Sequence, residues 1–240
     1  MSLFMSVMQV VRRLRRGGHA PNPMVYALPK ATVFRKYYNR HQFFDEIDWS
    51  NWNEVVDGFE DRFDKWYFTQ MRAGHGAYVD PCALCALVDV FSLHQSRRSW
   101  HEPKTYKEFL RRLDPVFRTK LQQPIEIGRL DRNGWQPAKL RDFADVFYTG
   151  VRCSLHHHGD LLAFAGMSGT GHMARELRDA GASMCGTKTY SIVVFDPAIL
   201  SQRLRLWLGS FCNELRRDPK SQMALAFKTR LEADFGVNIP

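Results

Sequence analysis

The sequence lacks the features that mark membrane-spanning, secreted and disordered proteins. No stretch of its 240 residues approaches the roughly 20 uninterrupted apolar residues that a membrane-spanning helix needs. The first apolar residues precede the arginines, the reverse of a secretory signal, and no small-residue cleavage site follows them. Hydrophobic residues make up 45% of the chain, which excludes a disordered protein and predicts a packed globular fold without a membrane span.

Cysteine is sparse, with five residues scattered along the chain. An odd, dispersed set is typical of reduced thiols, and we therefore expect a cytoplasmic protein. Cys82 and Cys85 form the only close pair, and no second pair follows at zinc-finger spacing. The helical spacing of the apolar residues after them favours two small side chains on a buried helix over a metal or redox site.

Acidic residues are absent from residues 1–40, which hold eight lysines and arginines. The other 200 residues carry 26 basic and 25 acidic side chains, so nearly all of the formal charge of +9 belongs to this arm. Such an arm can bind RNA electrostatically, lie on an anionic membrane surface or remain a solvated leader. Its candidate RNA-binding residues are Arg12, Arg13, Arg15 and Arg16.

A smaller basic cluster lies within residues 97–120, where aromatic side chains are interleaved with positive charge. This combination can bind nucleic acid. The same spacing also fits an amphipathic helix with Phe109, Leu110 and Leu113 in the core and the charges on its wet face. The candidate RNA-binding residues here are Arg97, Arg98, Lys104, Lys107, Arg111 and Arg112.

The apolar residues recur mainly with a helical period, which predicts a mostly α-helical bundle. A small β-containing insertion, at about residues 159–195, is expected between the last two core helices, with one strand candidate at residues 189–195. Residues 124–137 are predicted to form a loop. The predicted helices cover about residues 52–73, 80–93, 104–113, 138–158 and 196–215.

Three regions follow from these patterns. Residues 1–50 are interpreted as the basic arm and a linker rich in proline and glycine. Residues 51–218 form the predicted helical domain, and residues 219–240 are expected to be a helical C-terminal tail.

Chemistry-bearing residues concentrate at the end of the fourth predicted helix, between Arg152 and Asp160. Three consecutive histidines there suggest a metal site, but neighbours on a helix point about 100° apart and cannot share one ion. His156 and Asp160 lie four residues apart and would leave two ligands unsupplied. We therefore expect neither a metal ion nor another cofactor.

An arginine and a histidine at a helix end can instead cleave a phosphodiester without a metal. Neutral imidazole takes a proton from a ribose 2′-hydroxyl, and guanidinium holds the phosphate. On helical spacing alone, His156 is the better neighbour of Arg152. The same groups can also be structural, with Arg152 paired to Asp89 or Asp145 and His157 interacting with the helix dipole.

The segment from Arg152 to Asp160 resembles the R-x4-H signature of HEPN domains, α-helical bundles found in many RNA-cleaving toxins and defence effectors. The similarity is greatest to members whose helix ends in an RCGLLHxG-like motif. Residues 106–115 and the strand-then-helix segment 189–215 also look like that subgroup, so the resemblance covers about residues 52–217. The aligned motif residues are Arg152, Cys153, Leu155, His157 and Gly159.

The resemblance implies a metal-independent endoribonuclease that leaves a 2′,3′-cyclic phosphate. It assigns catalysis to Arg152 and His157, completed by the same residues of a second subunit in a homodimer. It also implies RNA as substrate, a toxin or antiviral role, and a candidate regulatory or antitoxin partner. Because some members lack activity, the alternative is an inactive nucleotide-binding, RNA-binding or dimerisation module of the same fold. The candidate supporting residues are Cys153, Ser154, His156, His158 and Asp89.

Overall fold

The computed structural model describes residues 35–39, 42–69, 79–96, 102–131, 134–157, 160–182 and 189–240. Within these ranges the protein is mostly helical and carries three small sheets, in agreement with the mostly α fold expected from the sequence. Several candidate residues lie outside the described ranges. They are Arg12, Arg13, Arg15, Arg16, Arg97, Arg98 and His158.

Six helices occur in the described part of the chain. Across the same part, no helix combines the length and the apolar character required to cross a bilayer. Helix α4 is continuous over residues 143–157 but changes its winding twice. The helices are α1 (Trp52–Phe63, continued by the π-helical turn Asp64–Phe68), α2 (Val79–Gln95), α3 (Pro103–Leu113, followed by the 3-10 turn Pro115–Arg118), α4 (α-helical Phe143–Val146, π-helical Phe147–Cys153 and α-helical Ser154–His157), α5 (Pro197–Arg217) and α6 (Gln222–Phe235).

The strands form two hairpins and one mixed sheet. Strands β1 and β2 pair antiparallel, as do β3 and β4. In the third sheet, β7 is central, parallel to β5 and antiparallel to β6. The strand predicted at Thr189–Phe195 is confirmed as β7. The strands are β1 (Arg35–Asn39), β2 (Gln42–Glu46), β3 (Lys120–Asp131), β4 (Gly134–Asp142), β5 (Ala165–Met167), β6 (Ala174–Ala182) and β7 (Thr189–Phe195).

The prediction of a loop at residues 124–137 is wrong, because residues 124–131 belong to β3 and residues 134–137 to β4, which pair antiparallel. The sequence signal for the hairpin is Asn133-Gly134, immediately at the start of β4. Pro124 lies where the register shifts, and Pro137 lies opposite Gly128. A two-stranded sheet has only edge strands, which tolerate proline. Consequently α4 begins at Phe143, five residues later than the period indicated.

Helix caps in the sequence fix where α4 and α5 begin. The carboxylate of Asp142 accepts the backbone N–H of Asp145 at 2.9 Å and starts α4. Asp196 accepts the N–H groups of Ala198 and Ile199 and starts α5, with Pro197 as its first residue. The predicted helix starting at Asp196 is therefore confirmed.

Aromatic side chains form much of the core. The Phe59 ring of α1 packs edge-on against Phe63 and against Phe227 of α6, each with ring centroids 4.8 Å apart. Helix α6 lies within residues 219–240, where a helical tail was expected, and it packs into the bundle core. A second group joins α4 to the mixed sheet, because the rings of Phe147 and Phe195 lie 5.0 Å apart and both are fully buried.

Candidate functional site

Helix α4 carries most of the candidate site residues, and its middle is π-helical. Hydrogen bonds from residue i to i+5 bring side chains five positions apart onto one face, as for Tyr148 and Cys153. Arg152 joins them: its Cζ lies 5.6 Å from the centre of the Tyr148 ring, and its Nη1 lies 4.0 Å from Cys153 Sγ. Helical spacing in the sequence assumes 3.6 residues per turn and does not predict the contact between Tyr148 and Cys153, five positions apart.

Arg152 is held by Asp89 of α2. Its Nε and Nη2 both donate to Asp89 Oδ2, at 3.2 and 3.1 Å. The two side chains are largely buried, with 18% and 11% of their surfaces exposed. Burial alone would lower the pKa of Arg152, but the charges of Asp89, Tyr148 and Cys153 outweigh burial and raise that pKa above its ordinary value. The guanidinium is therefore permanently charged and fixed in place.

Asp145, the other carboxylate considered as a partner for Arg152, binds different cations. Lys107 Nζ donates to its Oδ1 at 2.8 Å, and Arg111 Nη2 lies 3.6 Å from the same oxygen. Burial raises the pKa of Asp145, but Lys107, the backbone N–H of Arg141 and Arg111 together lower it below its ordinary value. These contacts tie α3 to the first turn of α4.

A groove of about 1200 Å³ runs beside α4, bordered by α3 and the β3–β4 hairpin. Arg152 and His157 both line it, and His157 is exposed. His156, the neighbour favoured by α-helical spacing, is exposed on the helix but does not line the groove. The structure therefore places Arg152 and His157, the pair that the motif resemblance implies, along the same groove.

The other candidate residues divide between the groove and the rest of the surface. Cys153 and Ser154 line the groove, the first half-buried and the second buried. Of the basic candidates on α3, Lys107 borders the groove, whereas Lys104 forms an exposed contact with Glu108 at 3.9 Å. The guanidinium of Arg111 donates to Asp142, the residue that caps α4, and Arg112 is exposed.

The sequence interpretation missed Tyr148 and the whole hairpin side of the groove. Tyr148 lies four residues before Arg152, a spacing that would have identified it as a neighbour. Burial, followed by the charge of Cys153 and a hydrogen bond with that residue, raises the pKa of Tyr148 to about 12. With this pKa, Tyr148 stays protonated at neutral pH. The hairpin residues were missed because the sequence predicted a loop there.

Behind Asp89, the site rests on buried residues of α2 and α3. The Tyr106 ring lies 5.3 Å from the Tyr148 ring, and burial raises the pKa of Tyr106. Cys85 is buried in α2 as expected, and burial raises its pKa. Cys82 is half-buried on the same helix. Both thiols thus lie on the predicted helix.

Among the described residues, no group of three or more histidine, cysteine, aspartate or glutamate side chains is arranged to hold a metal ion. Comparison of the chain with family models, curated proteins and solved structures finds no match.

Proposed function

We propose that the protein is a HEPN-like, metal-independent endoribonuclease in which Arg152 and His157 act on one phosphodiester. The observation that carries this proposal is that both residues line the same groove. The imidazole of His157 is on the exposed part of α4, where a substrate can reach it. The guanidinium of Arg152 is fixed by Asp89 at the wall of the groove. The ion pair with Asp89 therefore holds the Arg152 guanidinium in one orientation.

The proposed reaction is an internal transfer at phosphorus. Neutral His157 takes the proton of a ribose 2′-hydroxyl, and the 2′-oxygen attacks the adjacent phosphorus. The bond to the 5′-oxygen breaks, and an imidazolium returns a proton to that oxygen. The products are a 2′,3′-cyclic phosphate and a 5′-hydroxyl. Arg152 offsets the charge that grows on the phosphate oxygens, and a second subunit supplies the second imidazole.

The contacts of Arg152 define which of its nitrogen atoms can meet the phosphate. Asp89 accepts from Nε and Nη2, whereas Nη1 makes a 4.0 Å contact with Cys153 Sγ within the described part of the chain. A sulfur contact of that length is weak. In this proposal Nη1 binds a phosphate oxygen, and Asp89 is a positioning residue that sets its direction.

The same geometry favours a second candidate function, an inactive nucleotide-binding, RNA-binding or dimerisation module of the same fold. The edge formed by Nε and Nη2 is one that arginine uses for bidentate phosphate binding, and Asp89 occupies it. A groove with that edge blocked would bind RNA or a nucleotide without completing catalysis.

We place this activity in the cytoplasm, with a toxin or antiviral role and with a regulatory or antitoxin partner to restrain it. The support is the state of the thiols: Cys82, Cys85, Cys153 and Cys212 are free. Free thiols are typical of a reducing compartment.

The direct test is cleavage of total RNA by the purified protein in EDTA, beside Arg152→Ala and His157→Ala. The matched control is His156→Ala, which changes the exposed neighbouring histidine outside the groove. We expect cleavage by wild type and His156→Ala only, with 2′,3′-cyclic phosphate ends. Equal background in all four proteins rejects the nuclease and leaves the binding module. Activity that EDTA abolishes rejects the metal-independent mechanism.

A further inference from the structure

The two walls of the groove differ in chemistry. The α3–α4 wall carries Lys107, Asp145, Arg152 and His157. The hairpin wall, defined as Ile127, Ala138 and Leu140 with Leu162 at its edge, is apolar, although Gly128, Lys139 and Arg141 of the same hairpin also border the groove. An apolar surface facing a few placed polar groups is the usual composition of a small-ligand pocket.

The β3–β4 register explains why the hairpin wall is apolar. Ile127 pairs with Ala138, so their side chains lie on the same face of the sheet. Lys139 and Arg141 also border the groove but alternate with Ala138 and Leu140, and both are exposed. Lys139 is further engaged by Glu126 at 2.8 Å. The charged residues of β4 are thus directed to the opposite face.

Part of the hairpin wall is accessible to a ligand. Leu140 is buried, but Ile127, Ala138 and Leu162 are only half-buried. An apolar, flat partner that also bears a phosphate fits the two walls together. A nucleotide has this chemistry, with its base on one side and its phosphate on the other.

We propose that the hairpin wall is the nucleobase subsite of the groove. A base lies against Ile127 and Ala138 while its phosphate reaches Arg152. The inference rests on the proposed function for the identity of the substrate. A base can contact the wall only when it is unpaired, so the strand bound is single-stranded. Since the wall offers no side-chain hydrogen bond, it discriminates little between bases.

The test uses a fluorescein-labelled single-stranded 2′-O-methyl oligonucleotide, which has no 2′-hydroxyl and is not cleaved by the proposed reaction. Fluorescence anisotropy measures its Kd for wild type, Ile127→Ala and the control Ile125→Ala. Ile125 is also a half-buried β3 isoleucine, two positions away, but it lines a different cavity of about 420 Å³ beside Phe164. We expect about three- to tenfold weaker binding for Ile127→Ala only.

A second probe, identical except that its bases are replaced by abasic sites, separates base contact from phosphate contact. Wild type should lose about as much affinity when the normal probe is replaced by the abasic probe as Ile127→Ala loses on the normal probe. The affinity of Ile127→Ala should fall little further when its normal probe is replaced by the abasic one. Arg152→Ala should weaken the binding of both probes by the same factor. Circular dichroism and the Tm confirm that each variant is folded.

Two results overturn the subsite. One is unchanged binding of both probes by Ile127→Ala. The other is a lower dimer fraction of Ile127→Ala in sedimentation at matched concentration, which would make the hairpin wall a subunit contact. The nuclease proposal is tested separately, by measuring cleavage of ordinary RNA. A base-dependent Kd without any cleavage supports the subsite and rejects the nuclease.

Discussion

The surroundings of Arg152 and of His94 show two ways in which this fold buries an ionisable side chain. Arg152 faces a groove and is compensated by the carboxylate of Asp89 at 3.1 Å. His94 of α2 lies between the rings of Phe59 and Phe227, with centroids 4.9 and 5.3 Å away. Its Nδ1 is buried and has no hydrogen-bond partner within the described structure. One group keeps its charge, and the other is kept neutral.

The pKa values follow from that difference. Burial, and then the positive charges of Arg230 and Arg62, lower the pKa of His94 to about 3. The net effect at Arg152 has the opposite sign, because an opposite charge is present. A perturbed pKa alone therefore does not identify a functional site in this chain. The open groove beside Arg152 distinguishes it from His94, which is enclosed by the core.

The largest expected effect is on catalysis and distinguishes His157, which faces the groove, from His94, which is enclosed by the core. Replacing exposed His157 by alanine should reduce RNA cleavage by roughly 10²–10⁴-fold, because a general acid or base is lost. The Tm should stay close to wild type, since an exposed side chain contributes little to packing. Single-turnover cleavage and differential scanning calorimetry on the same preparation measure both quantities. A large drop in Tm would make His157 a structural residue instead.

The next effect concerns the buried ion pair. Asp89→Asn should lower the free energy of unfolding by about 2–3 kcal/mol, because Arg152 loses its compensating charge in a largely buried position. Urea unfolding measures this value. The control is Asp57→Asn in the more exposed pair with Arg216, where Asp57 is 51% exposed and the expected cost is below about 1 kcal/mol.

A positioning role for Asp89 requires more than a loss of stability. At a temperature where the variant is folded, Asp89→Asn should reduce kcat by at least about tenfold, and Asp89→Glu should restore part of that loss. Unchanged kcat in folded Asp89→Asn would show that the pair only stabilises the bundle.

His94 should make stability sensitive to pH. Its folded pKa of about 3 lies below the ordinary value of 6.5, so the unfolded chain binds a proton first. Stability is therefore complete above pH 6.5 and falls toward pH 3, by up to about 1.4 kcal/mol for each pH unit. His94→Phe, which keeps an apolar ring between Phe59 and Phe227, should flatten the profile measured by urea unfolding. His172→Gln, at an exposed histidine, should leave it unchanged.

The sequence predicted the helices better than the groove, for reasons visible in particular residues. Asp196 and Pro197 mark the start of α5 by local chemistry, so that boundary was correct. The hairpin has an equally local signal, Asn133-Gly134, but Pro124 and Pro137 on either side favoured a loop. The Arg152–Asp89 contact spans 63 positions, and the sequence alone leaves Asp89 and Asp145 as equal alternatives. Local pattern does not decide between distant partners.

The π-helical winding of α4 is the clearest limit on sequence reasoning. With 3.6 residues per turn, Arg152 is better placed to meet His156, yet the groove is lined by His157. The π-helical stretch Phe147–Cys153 begins at Phe147, whose ring contacts Phe117 and Phe195 from distant segments. No hydrophobic period in α4 itself encodes that choice.

The smallest expected effect comes from Asp145, whose charged form is the one that the fold stabilises, whereas His94 is held in its neutral form. Its lowered pKa means that its stabilising charge is present above the ordinary value of 3.8 and is lost as pH falls below it. Lys107→Met should remove the 2.8 Å contact and cost about 1 kcal/mol at pH 7, while making the profile below pH 4 less steep. The decline from pH 6.5 to 4 should persist in this variant, because His94 causes it. If Lys107→Met instead altered that upper part of the profile, the assignment of the two pH ranges to two separate regions would be incorrect.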